Sequence, residues 1–150
     1  MSREHPTHAI VSFIINALII ILLVFLVNVL AIFSPSNFTS NLVSFLNSNI
    51  LLLLAISFLF FLGRFFYGFG LPINLITPVV EALGSVFLVA FIINLVELLD
   101  KYVDTGVGSV LSSLSSIIYF IVFVLVVIFG YLFILQRHQT KVEHKIRSKK

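Results

Sequence analysis

The chain has 150 residues, 60% of them hydrophobic and only 10% charged, with a mean hydropathy of +1.20. Soluble domains carry about 45–50% apolar and about 25% charged residues, so this composition excludes an ordinary water-soluble globule. Cysteine is absent, which excludes disulfide frameworks, thiolate metal sites and cysteine nucleophiles, and the net charge of +3 matters less than its placement.

A polar head, residues 1–8, precedes an uncharged run from Ala9 to Phe33. A membrane span needs about 20 apolar residues at 1.5 Å rise each, whereas a signal-peptide core has about 7–15. The run therefore reads as a retained first span. Ser34 to Asn49 follows, uncharged and rich in Ser and Asn. Within it Phe38, Leu42, Phe45 and Leu46 recur at helical spacing, which predicts a short interfacial helix between the first two spans; an irregular loop or an early start of span two are the alternatives. Asn37-Phe38-Thr39 matches the N-glycosylation pattern.

The second span covers 50–69, with Arg64 near its far end among several Phe residues. Its guanidinium can reach headgroups while the stem stays in lipid. Gly68, Gly70 and Pro72 break the helix. The third span covers 78–101, with Thr77 as the expected N-cap and Pro78 at the first helical position. It is expected to be the central helix, with the other three arranged around it. Asp104, Gly106 and Gly108 form the next turn, and the fourth span covers 109–135. The tail, 136–150, has six Lys or Arg against one Glu. The whole chain reads as one all-α integral membrane domain with four transmembrane helices.

Four spans put both termini on one side. With that side cytoplasmic, Arg3, Arg64, Arg137, Lys141, Lys145, Arg147, Lys149 and Lys150 lie inside and only Lys101 lies outside. Positive-inside asymmetry therefore predicts cytoplasmic termini in the cell membrane. The tail residues Arg137, Lys141, Lys145, Arg147, Lys149 and Lys150 are expected to contact anionic lipid headgroups, each worth about 1 kcal/mol. Nucleic acid is not an expected partner, since no aromatic side chain is interleaved with the tail's charges.

Ionisable residues inside a bilayer are functional candidates. Glu81 falls about one turn into span three, Glu97 near the opposite boundary, and Asp100 at or beyond it. The middle of the span, 86–93, is wholly apolar, which argues against a charged relay through one copy. Two readings follow. In the first, Arg64 and Glu81 form an ion pair at the inner face, and Glu97 meets headgroups or pairs with Lys101 at i, i+4. In the second, Phe87, Ala90, Asn94, Glu97, Lys101 and Asp104 share one helical stripe, and several copies would place Asn94 and Glu97 in a cation-selective vestibule.

Asn16 and Asn28 on span one are expected to hydrogen-bond to neighbouring helices. Ser109, Ser112, Ser113 and Ser116 form a small-residue packing face, directed at span three or at another subunit. The histidines His5, His8, His138 and His144 lie too far apart along the chain to suggest a zinc site. HExxH, GxSxG, GxGxxG and P-loop patterns are all missing, so no catalytic residue, cofactor or metal is predicted. The leading expectation is a non-enzymatic structural or accessory subunit of a membrane complex or homo-oligomer. The alternative is an oligomeric cation channel or transporter.

Overall fold

The computed structural model describes residues 6–69 and 72–147, with side chains over 10–69 and 72–136. The described residues form four long helices: α1 (Pro6–Phe33), α2 (Asn37–Tyr67), α3 (Thr77–Val103) and α4 (Val107–Arg147). A 3₁₀ turn, Ile73–Ile76, leads into α3. All four helices contain an apolar stretch long enough to cross a membrane, and the described residues contain no strand. In lipid every backbone N–H and C=O must be satisfied within its own segment, which is why so apolar a chain resolves into helices.

α2 begins far earlier than the second span read from composition. Asn37–Tyr67 is one continuous helix of 31 residues, about 46 Å at 1.5 Å per residue, and no separate surface helix stands between α1 and α2 among the described residues. Its start is fixed by a capping box. The Thr39 N–H donates to Ser36 Oγ at 3.1 Å, and the Ser36 N–H donates to Thr39 Oγ1 at 2.9 Å. The Phe38, Phe45 and Leu46 stripe turns towards α3 rather than towards a membrane surface. Phe38 meets Tyr102 edge-on at 5.1 Å, Phe45 meets Phe91 at 5.4 Å, and Leu46 is buried.

The start of α3 also departs from expectation. Thr77 makes no capping bond, because the 3₁₀ turn runs straight into the helix. Its hydroxyl instead donates across to the Gly63 carbonyl of α2 at 3.3 Å. Pro78 sits in the first turn, where the missing N–H has no helical partner to lose.

The helices do not close into a bundle around α3. Consecutive helices pack antiparallel, α1 on α2, α2 on α3 and α3 on α4, and no other pair of long helices makes more than a marginal contact. The molecule is a row, with α2 and α3 inside and α1 and α4 at its edges. Only 6% of the apolar stretch of α1 and of α4 is buried, against 17% for those of α2 and α3. The most extensive seam joins α3 and α4. Glycines bring the two backbones together there: Gly108 lies against Glu97 Cα and Gly130 against the Pro78 ring. These contacts lie 22 residues apart, about 33 Å along the helix, so they clamp both ends of one membrane crossing.

Candidate functional site

Polar side chains gather at the two ends of the row. One end holds the α2–α3 connection. There Arg64 Nη1 donates to Ser12 Oγ of α1 at 3.0 Å. Glu81 lies within electrostatic reach of Arg64 but makes no direct ion pair with it. Its side chain instead fills a notch in α2 left by Gly63, where an added Cβ would sit 2.6 Å from Glu81 Cγ. Ser85 Oγ donates to the Glu81 carbonyl one turn on, at 2.8 Å. The anticipated Arg64–Glu81 bond is thus replaced by two separate contacts, one made by each residue.

The opposite end holds the α1–α2 and α3–α4 connections. Between α2 and α3 it opens into a groove of about 290 Å³, lined by Phe45, Asn49, Asn94, Glu97, Leu98 and Lys101. This places the Asn94, Glu97 and Lys101 side of the α3 stripe against α2. The groove is open along its length rather than a closed passage. Glu97 and Lys101 are both exposed and form no ion pair, although they stand at i, i+4 on one helix. Asn49 Nδ2 donates to the Phe45 carbonyl at 2.8 Å.

Asp100, which composition placed at the boundary with no role, is the residue that builds the α3–α4 turn. Its Oδ1 accepts the Thr105 N–H at 3.0 Å and the Thr105 hydroxyl at 2.5 Å, and its Oδ2 accepts the Gly108 N–H at 3.1 Å. A carboxylate at the first turn of α4 satisfies N–H groups that lack helical partners and complements the helix dipole. Asp104 adopts a left-handed conformation (φ 53°) and Gly106 another (φ 73°), which together reverse the chain.

Tyr102 joins α3 to the start of α2. Its hydroxyl accepts from Asn41 Nδ2 at 2.6 Å and donates to the Asn37 carbonyl at 3.0 Å. In the glycosylation pattern beside it, the Thr39 hydroxyl is already engaged in the cap of α2. Asn28 and Asn47 exchange reciprocal amide hydrogen bonds of 3.3 Å between α1 and α2. Asn16, by contrast, is exposed and makes no bond to a described residue.

Ser109, Ser112, Ser113 and Ser116 are all exposed, on a face of α4 that flanks the Gly108 and Gly130 seam. The Ser113 hydroxyl donates to the Ser109 carbonyl at 2.9 Å and the Ser109 hydroxyl to the Gly106 carbonyl at 2.8 Å, so these two are satisfied within α4. None of the four is buried against α3.

Among the described residues no group of His, Asp and Glu could hold a metal ion. The side chains of His8, His138 and His144, and of the tail residues Arg137, Lys141, Lys145 and Arg147, lie outside the described set, as do Arg3, His5, Lys149 and Lys150 altogether. Comparison with protein-family models, curated proteins and solved structures gave no significant match.

Sequence reasoning missed Gly63 and Gly130, read Gly108 only as a turn residue, and gave Asp100 no partner. The signal for Asp100 was present in the run Asp100 to Gly108, an acid followed at turn distance by Thr and two glycines. The glycines at 63 and 130 stand inside apolar runs, where only the neighbouring helix gives them meaning.

Proposed function

We propose that this multi-pass membrane protein is a non-enzymatic subunit that assembles laterally in the bilayer, through the serine face of α4, with other membrane subunits or with copies of itself. The observation that carries this reading is the division of labour on α4. Gly108 and Gly130 take the seam to α3, while Ser109, Ser112, Ser113 and Ser116 remain exposed beside it. Lipid tails are as apolar as Leu, so helices associate in membranes by close backbone approach and hydroxyl contacts, which a serine face permits. The row-like fold adds to this, since both edge helices keep most of their surface free for neighbours. In this reading both termini are cytoplasmic, in the cell membrane, and the basic tail holds anionic lipid headgroups.

The test is the mass of the particle in nanodiscs by native mass spectrometry, together with cross-linking of Ser112→Cys in the otherwise cysteine-free chain. A mass above 16.8 kDa with efficient cross-linking supports the reading, and a monomer that never cross-links overturns it. A second reading, a cation-conducting oligomer around Asn94 and Glu97, is favoured by the unpaired Glu97 carboxylate. Cation flux in vesicles that is altered by Glu97→Gln supports it, and flux absent or unchanged removes it.

A further inference from the structure

The apolar stretch of α1, Ile10–Phe33, contains three polar side chains: Ser12, Asn16 and Asn28. Two of them are engaged by α2. Ser12 Oγ accepts from Arg64 Nη1 at 3.0 Å, and Asn28 exchanges amide bonds with Asn47. Asn28 also donates to the Val24 carbonyl one turn back, at 2.8 Å. Asn16 is exposed and makes neither kind of bond. It lies one turn, about 6 Å, further into the bilayer than Ser12. It precedes Asn28 by 12 residues (28 − 16), which at about 100° each puts it roughly 120° round the helix, on a different side from the Asn47 contact. An amide in hydrocarbon without a hydrogen-bond partner is costly. We infer that α1 is a dimerisation helix: a second copy of this chain packs against it in parallel, and Asn16 of each copy exchanges amide hydrogen bonds with its counterpart.

Depth, chemistry and spacing together select a second copy. A two-fold axis along the membrane normal keeps every residue at its own depth, so Asn16 meets Asn16. The serine face of α4 cannot serve instead. Ser109 to Ser116 adjoin the α3–α4 turn, at the opposite end of the row from Ser12 and Arg64, and copies inserted in one direction hold the two regions near opposite sides of the bilayer. A carboxamide carries both donor and acceptor and is therefore self-complementary. The chain already forms such a pair in Asn28 and Asn47, at 3.3 Å in both directions. Spacing completes the argument. Ile19, Leu23, Leu26 and Leu30 follow Asn16 at intervals of 3, 4, 3 and 4 residues, and all four are exposed. That is the heptad seam of a parallel coiled coil, in which one Asn at an a position fixes register and the number of strands. Leucines gain little by exchanging lipid for one another, so the amide pair supplies the specificity and the apolar stripe the fit. This contact does not depend on the serine face of α4 and lies on the other edge of the row.

The experiment is cross-linking of single-cysteine variants of the full chain, which has no native cysteine, by a short thiol-specific reagent in phosphatidylcholine vesicles over a range of protein-to-lipid ratios. Leu23→Cys, on the stripe, should give a cross-linked dimer. Ile21→Cys, equally open to lipid but on the far side of α1, should not. Adding Asn16→Leu to Leu23→Cys should move the cross-linking curve to about tenfold more protein per lipid, the change expected from losing one pair of interhelical amide bonds. Asn16→Gln keeps an amide and should recover most of that shift. No dimer from Leu23→Cys overturns the inference, and so does equal cross-linking of Ile21→Cys, which marks random collision. An unshifted curve in Asn16→Leu also overturns it, since the amide would then play no part. An unchanged midpoint in SDS unfolding establishes that each variant is folded. Ser112→Cys reads the serine face separately, so either interface can fail without the other.

Discussion

Replacing Gly108 by Ala tests whether the α3–α4 seam is held by backbone approach. A Cβ at 108 would lie 2.8 Å from Glu97 Cα, 3.0 Å from Asp100 Cβ and 3.2 Å from Asp100 Oδ2. The first of these atoms is backbone and cannot rotate away. Carbon atoms prefer separations of about 3.5–4.0 Å, so α4 must retreat by roughly 0.7–1.2 Å at its first turn. That movement stretches the 3.1 Å bond from the Gly108 N–H to Asp100 Oδ2. Overpacking costs about 1–3 kcal/mol and loss of a hydrogen bond to a charged group about 1.5–3, while Ala recovers about 0.5–1 through helix propensity. With that bond weakened rather than lost, the expected net destabilisation is about 2–3 kcal/mol. Reversible unfolding in mixed micelles of rising SDS fraction measures it, read by tyrosine fluorescence, since the chain has four Tyr and no Trp. Ser116→Ala, on the exposed side of α4, is the control and should stay within about 0.5 kcal/mol of wild type. Gly108→Ala at or above wild-type stability would refute the reasoning.

Gly130→Ala should behave alike, because its Cβ would lie 2.7 Å from Pro78 Cβ; at 22 residues from Gly108 the two effects should add within about 0.5 kcal/mol in the same assay. Asp100→Ala removes the acceptor of three hydrogen bonds in the α3–α4 turn and should lower the unfolding midpoint in the same assay, with Asp100→Asn intermediate. A double-mutant cycle of Asn28→Ala and Asn47→Ala should return a coupling of about 0.6–2 kcal/mol; additive single effects would show that the reciprocal amides do not bond in the membrane. The row arrangement predicts that a short thiol-reactive cross-linker joins Asn28→Cys to Asn47→Cys, whereas it does not join Leu22→Cys to Ile121→Cys on the exposed edge helices. A cross-link in the second pair would mean that α1 and α4 close into a bundle.

The number of spans, their approximate centres and the polar character of both ends were determined by the sequence alone. The reason is that lipid admits only backbone that satisfies its own hydrogen bonds, so an uncharged run of sufficient length has one outcome. The helical spacing of Phe38, Phe45 and Leu46 was also visible, but not what it faced. A surface helix and the opening turns of a long span show the same periodicity, and only the position of Tyr102 and Phe91 on α3 separates them. Which helices touch was decided by tertiary structure. In a bilayer, apolar side chains gain little by exchanging lipid for one another, so hydropathy carries no record of neighbours. Close approach decides instead, and that depends on where a missing side chain meets a partner. Gly63 matters because Glu81 fills its notch, and Gly108 and Gly130 matter because Glu97 and Pro78 stand opposite them. The serines, equally small and more conspicuous in the sequence, stay exposed beside the glycines that meet α3.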